Sequence, residues 1–354
     1  MKHQSRPIQL IPLLGLVSLL FCHCGVSTVP VEVLVPAEIT VSKAVEYVGI
    51  INHSLPADRS RLAGIAEAFL TRESIFADPT GAEYCLKGLA EKLNDSPRFT
   101  PVVIQGERLT RDGTRSLPVQ IPWATVTRIC QKYRLDALVA LEHFDSDIYL
   151  EKHKKTPKKK KSGGGEEETE KEKTRYLARL RIRVSSGWRI YHPIGRRILD
   201  AQIYQEEKSW RGSGENYREA LLELPDKRSA INEAGYLSGI RYGERISPTW
   251  VTLTRSFYTR GARELEEAKR MVRAGDWEGA VRMWQAVSRS EDPELQGKAI
   301  YNLAFAAEIR GDLERAVQLA REAYTRYGNR KAYRYLQELQ TRIQDQRKLE
   351  EQLD

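Results

Sequence analysis

Residues 274–281 read AGDWEGAV, and thirty-six positions later residues 310–317 read RGDLERAV. A phrase written twice at a fixed offset restricts the fold, because each copy has to be one supersecondary unit and such units stack on their neighbours. The second copy is preceded by IYNLAFAAEIR and followed by LERAVQLAREAYTRY. Both have apolar residues three and four apart, the period of a helix with one buried face. Gly275 and Gly311 suit the turn at which a first helix stops, and Asp276 and Asp312 can cap the helix that follows. Ala280 and Ala316 are small where two helices must cross. Trp277 and Leu313 are placed to wedge between them. The reading is a helical hairpin written twice.

On these residues the segment resembles the tetratricopeptide repeat. With Gly275 and Gly311 as the turn glycine, Ala280 and Ala316 fall on the small crossing position. Trp284 and Ala320 take the aromatic position, Val287 and Ala323 the next small one, and Ala268 and Ala304 the small position of the first helix. The period of thirty-six exceeds the roughly 34 residues of that family by an extension best placed at SEDPEL, residues 290–295. Two hairpins are fewer than the ~3 repeats needed to close a core, so helix 332–349 is expected to cap one side and the segment around Gly235 to flank the other. Residues 262–350 are therefore read as two tetratricopeptide-like repeats plus a capping helix. The resemblance implies that the first helix of each unit lines a groove for a partner peptide. Carried over, that groove holds Leu265, Lys269 and Val272, then Lys298, Tyr301, Asn302, Phe305 and Glu308. Leu265 and Glu266 stand where a clamp for a terminal carboxylate needs polar residues, so that ligand is not expected. The alternative for Tyr301 and Phe305 is packing against the capping helix.

The amino terminus is different in kind. Lys2 and Arg6 precede the apolar run from Ile8 to Phe21, and FCHCG follows. The run is short against the ~20 apolar residues of a membrane-spanning helix and suits the core of an export signal. Cys22 and Cys24 stand where bacterial lipoproteins carry the cysteine that is lipidated. Cys24 is the expected site and Cys22 the alternative, because bulky Phe21 precedes Cys22. Residues 1–24 are thus read as a lipoprotein signal peptide. The chain is expected to be anchored in the cell envelope, at the outer membrane facing the periplasm.

Between 31 and 215 strand and helix patterns alternate, which predicts a mixed β-sheet with flanking helices. The fold class expected is α+β, the sheet domain being followed by the all-α array. VEYVGIIN, FTPVVIQ and DALVALEHF read as strands, with helices at EYCLKGLAEKL and TVTRICQKYRL. Cys85 and Cys130 fall on the helical patterns, either as buried apolar residues or as a disulfide. Residues 151–174 carry a basic run followed by an acidic one and are expected to form a disordered charged loop. YLARLRIRV then alternates strictly and turns back through HPIG into ILDAQIYQE. That hairpin sets Arg183 opposite Glu206 and Arg189 opposite Asp200. Residues 216–261 read as a helical connector broken at Pro225 and Pro248. Gly235, Gly239 and Gly243 form a stripe there that would make a strut between the domains.

Together the cysteine-ended leader, VEVLVPAEI, GWRIYHP, RISPTW and the closing repeats resemble an uncharacterised family of bacterial lipoproteins: a domain of unknown function with carboxyl-terminal tetratricopeptide repeats. That resemblance implies no activity, and no catalytic or metal-binding motif stands in the sequence. The six histidines make no pair at helical ligand spacing, and Gly163–Gly165 lacks the Lys-Ser or Lys-Thr of a phosphate loop. Neither a cofactor, a small molecule nor nucleic acid is expected as a partner, although the net charge is +9. The function expected is a lipid-anchored scaffold that holds an envelope protein in the repeat groove. The alternatives are hydrolysis of an envelope polymer by Asp145 and Asp147 at a strand end, or sensing of an anionic ligand on the arginine face around Arg181.

Overall fold

Long apolar runs need cover on both faces, while alternating strands need it on one. The computed structural model, which describes residues 25–54, 77–107, 109, 117–155 and 174–353, answers both demands within one sheet. Strands β2 (Tyr47–Asn52), β3 (Thr100–Val103), β4 (Ala137–Lys155), β5 (Arg175–His192) and β6 (Arg197–Gly214) run in the order β3-β2-β4-β5-β6. The pairs β2/β3 and β2/β4 are parallel, and β4/β5 and β5/β6 antiparallel. The leader with Cys22 and Cys24, and residues 156–173 of the charged loop, lie outside the described residues.

The sheet belongs to a compact unit made of Glu32–Thr252 and Gln344–Asp354. Helices α1 (Ala77–Asn94) and α4 (Lys227–Ile246) cover one face over a cluster that includes Ile50, Leu89, Leu93, Val139, Leu141 and Trp188. Helix α2 (Trp123–Tyr133) covers the other face at its parallel end, over Ile51, Val126, Ile129, Leu138 and Tyr191. Each aliphatic side chain fully buried in these layers contributes roughly 1.5–3 kcal/mol. On β5, Ala178, Leu180, Ile182 and Val184 are buried in alternation with the half-exposed arginines. A short helix α3 (Tyr217–Leu222), capped by Asn216, follows β6.

Several sequence expectations are corrected here. The glycine stripe of α4 is no strut, because it lies against α1 within the sheet unit. A Cβ on Gly239 would come within 1.9 Å of the Cys85 carbonyl oxygen, so only glycine lets the two backbones approach this closely. Residues Glu151–Lys155, expected to be loop, continue β4 and pair with Arg179–Arg175, since the partner strand offers a ladder as far as it reaches. The β5/β6 register is one residue off the expectation: Arg183 faces Glu207, and Arg189 faces Ala201. An irregularity between Ile190 and Tyr191 inserts the extra residue. The connector is not wholly helical either, because β7 (Thr249–Tyr258), TWVTLTRSFY, is extended. Its β-branched and aromatic residues favour a strand. Cys85 and Cys130 are free thiols, both buried.

The second unit comprises Leu253–Ile343 with, among the described residues, Gly25–Val31. Helices α5 (Arg263–Arg273) and α6 (Trp277–Val287) form one hairpin, and α7 (Pro293–Ile309) and α8 (Leu313–Thr325) the next. Helix α9 begins at Arg330 and runs to Leu353. The two corners are built alike. Gly275 and Gly311 take φ of 78° and 81°, the left-handed region open to glycine. The Asp276 amide donates to the Met271 carbonyl (2.9 Å) and the Asp312 amide to that of Ala307 (3.0 Å). The carboxylates of Asp276 and Asp312 then accept from the amides of Gly279 (2.8 Å) and Arg315 (3.0 Å). Ala268, Ala280, Ala304 and Ala316 are fully buried, Leu313 nearly so, and Trp277 is half-buried with its ring edge against Phe305. Strand β1 (Val26–Val35) pairs with β7 as a two-stranded ribbon apart from the large sheet.

Candidate functional site

The face of α7 that the resemblance assigns to a partner peptide is filled by the chain's own strand. At its end β7 buries Arg255 and Phe257, two residues apart and so on one face of the strand. Phe257 stacks on Phe305 with ring centroids 5.8 Å apart and meets the edge of Trp284 at 6.0 Å. The Tyr258 amide donates to Asn302 Oδ1 and the Tyr258 carbonyl accepts from Asn302 Nδ2, both at 2.8 Å. The Tyr258 ring lies edge-on to Tyr301 at 5.3 Å, and its hydroxyl donates to Asn329 Oδ1 at 3.1 Å. Tyr301, Asn302 and Phe305 are consequently buried. Burial raises the Tyr301 phenol above its ordinary pKa.

Arg255 supplies the charge in this arrangement. Its Nε and Nη2 reach the Glu308 carboxylate at 2.9 Å each, and its Nη1 reaches Glu338 at 2.5 Å. Glu308 has no exposed side-chain surface, and it also accepts from Arg342 Nη1 (2.9 Å) and the Tyr335 hydroxyl (2.6 Å). Burial, then the Glu308 carboxylate, push the Tyr335 phenol far up. A buried carboxylate is tolerated when its lone pairs are filled this way.

The remaining groove residues differ in placement. Leu265 and Val272 are buried in the hairpin core. Lys298 bonds Glu294 one turn back on its own helix at 2.7 Å, and Lys269 is half-buried on α5. The structure therefore gathers Tyr301, Asn302, Phe305 and Glu308 around β7, with Lys269 and Lys298 taking no part in those bonds.

The alternative sites on the sheet unit are less concentrated. His143 Nε2 lies 3.1 Å from Ser185 Oγ, Asp145 pairs in register with Ser185, and Asp147 accepts from the Tyr149 hydroxyl at 3.5 Å. Arg181 is bonded to Glu151 (3.0 Å) and Glu207 (3.6 Å), and Arg183 to Glu207 (3.5 Å). Tyr149 lies beneath both guanidinium groups, at 4.9 and 5.4 Å. Arg181 and Arg183 are thus paired with carboxylates of their own sheet, while Arg179 donates to Ser209 Oγ at 3.4 Å. Among the described residues, no group of three or more His, Cys, Asp or Glu side chains could hold a metal ion. Among the same residues, no helix is long and apolar enough to cross a membrane.

A polar cluster at the carboxyl end of the parallel strands went unnoticed in the sequence. Glu142, at an irregularity of β4, is fully buried. It accepts from Arg189 Nη1 at 2.6 Å and from the Tyr191 hydroxyl, with His53 Nδ1 3.8 Å away. Arg189 also donates to the Pro118 carbonyl, and the Ile121 amide donates to Tyr191, so the cluster fastens residues 118–121 to the sheet. Burial, then the Glu142 carboxylate, raise the Tyr191 phenol well above its ordinary value. The only sequence signal was one carboxylate inside the apolar run of DALVALEHF.

No curated protein matches the chain. Residues 266–341, which span the two hairpins and the first turns of α9, match a family described as Domain of unknown function (DUF6340). Residues 45–258, from the start of the sheet through the strand seated on α7, match a second family over more than half the chain. The chain belongs to that second family, described as Domain of unknown function (DUF8603).

Proposed function

We propose that this protein is an exported, lipid-anchored envelope protein whose helical unit, a tetratricopeptide-like pair, is a scaffold for binding another envelope protein. The observation that carries the reading is the doubled corner, with matching glycine conformations and matching caps at 275–279 and 311–315. Repeated hairpins present extended, regular surfaces, and proteins built from them use those surfaces for binding. The leader and Cys24, with Cys22 as the alternative, support export and lipidation. Because β7 occupies Tyr301, Asn302 and Phe305, partner contacts fall on exposed helical positions instead. Scaffolding of this kind uses no cofactor.

The test is photo-crosslinking in the producing cells, with the crosslinker placed in turn at exposed positions such as Arg282 and Arg310. Membrane fractionation and mass spectrometry of the mature amino terminus accompany it. The reading expects a lipidated amino-terminal cysteine and one envelope protein captured from neighbouring positions. A lipidated chain that captures nothing position-specific would sink the scaffold role alone, and an unprocessed leader would sink the anchor.

A further inference from the structure

A small groove opens between α6, α7 and α8, on residues that β7 does not use. Its floor is Val281, Leu303, Ala306, Ala307 and Leu319, and its volume is about 190 Å³. That is below the ~300–1,000 Å³ typical of small-molecule sites, and it suits one large apolar side chain. The space exists because α7 presents consecutive alanines between the larger residues of α6 and α8. Leu303 lies half-buried at the seam, packed against both hydrophobic clusters of the helical unit.

The rim is basic. Arg310 and Arg315 line the groove and are exposed, and neither has a carboxylate within ion-pair reach among the described residues. Among the described residues, Arg315 donates to Gln318 Oε1 at 3.2 Å. Arg282, exposed and one helical turn from the groove residue Gln285, is likewise without a carboxylate among those residues. By contrast, Arg263 on α5, Lys298 on α7 and Arg326 just after α8 are paired with Glu267, Glu294 and Glu322. Asp312 is the acid at the rim, and its carboxylate caps α8. The repeat itself does not call for these arginines, since the first copy has Ala274 and Gly279 where the second has Arg310 and Arg315.

We infer that this groove docks a partner protein segment carrying one large apolar side chain flanked by carboxylates. The apolar side chain fills the space over Ala306 and Ala307, and the carboxylates meet Arg310 and Arg315. Arginine suits this task because its planar fork binds carboxylates with two parallel bonds. The inference rests on the scaffold reading and gives its partner a chemistry.

The test pans a phage-displayed library of random dodecapeptides against the full chain in detergent and measures the selected peptides on wild type and on R310E/R315E. Both substitutions are at exposed positions, and circular dichroism checks that the fold is kept. The expected result is enrichment of peptides with a Leu, Met or Phe next to Asp or Glu. Their binding should weaken at least tenfold on R310E/R315E, weaken with added salt, and recover on the reversed protein when the acids are changed to Lys. A second variant, R282E, should weaken binding less, as it lies at the groove's edge. Equal binding to wild type and R310E/R315E, enrichment of basic peptides, or no enrichment over an unrelated protein would each overturn the groove. If R310E/R315E keeps the envelope crosslink in cells, the groove fails while the scaffold reading stands.

Discussion

The side-chain amide of Asn302 closes two hydrogen bonds on the backbone of Tyr258, one from the amide and one to the carbonyl, each 2.8 Å long. This is how an asparagine holds any extended peptide whatever its side chains, because both bonds are to main-chain atoms. Here the peptide is the end of β7, forty-four residues earlier in the same chain. The helical unit is therefore completed by a strand of its own. That is one physical answer to having two hairpins where about three repeats are needed for a continuous core.

Removing that amide should loosen the strand without dissolving the helices. Asn302→Leu removes both side-chain hydrogen bonds to the Tyr258 backbone, at a cost of about 3 kcal/mol. Hydrogen exchange read by mass spectrometry on a peptide covering 253–259 should accelerate about a hundredfold, at ~1.4 kcal/mol per factor of ten. Exchange in α2 of the sheet unit should not change. Unaltered exchange in 253–259 would mean that β1, Arg255 and Phe257 seat the strand without Asn302.

Charge matters as much as the amide. Glu308→Gln leaves Arg255 short of the carboxylate that both its Nε and Nη2 use, and it should destabilise the helical unit by about 3–5 kcal/mol. Replacing both partners, as Arg255→Met with Glu308→Leu, should return more than half of that loss, because an apolar pair needs no desolvated charge. Urea unfolding of the two variants beside the wild type reads both numbers. A double variant as unstable as Glu308→Gln would show that Arg342 and Tyr335, not Arg255, set the need for the carboxylate.

The two buried thiols give a pH dependence with a definite sign. Burial pushes the Cys130 thiol up to about 11 and that of Cys85 further still. A folded value raised above the ~8.5 of a free cysteine favours the folded state below that pH. The contribution is lost as the pH climbs from about 8.5 toward 11. Stability should therefore fall across that window, and less steeply in Cys130→Ala. At pH 8 neither thiol of the native protein should react with iodoacetamide, as peptide mapping would read, while both should react after denaturation. Rapid labelling of native Cys130 would contradict its burial.

The corners at Gly275 and Gly311 were legible in the sequence because every interaction in them is local: a glycine for one backbone conformation, and an aspartate for amides three residues on. The buried alternation of β5 was legible for the same reason, since side chains two apart share a face. Local patterns do not report insertions or distant partners, so the β5/β6 register was misread by one residue at the irregularity after Ile190. The sequence of β7 reads as part of a helical connector, because what holds it extended is β1 and α7, far away along the chain. Glu142 was passed over because its partners Arg189 and Tyr191 are brought to it only by strand pairing.

That Tyr301, Asn302 and Phe305 share one face of α7 followed from the repeat resemblance, but the segment seated on that face did not. By itself the sequence determined where the repeated hairpins turn and which side of their helices is apolar, because those depend on neighbours a few residues apart. Only the tertiary structure decided that β7 lies on that face, because which surfaces meet depends on contacts between segments that the chain keeps far apart.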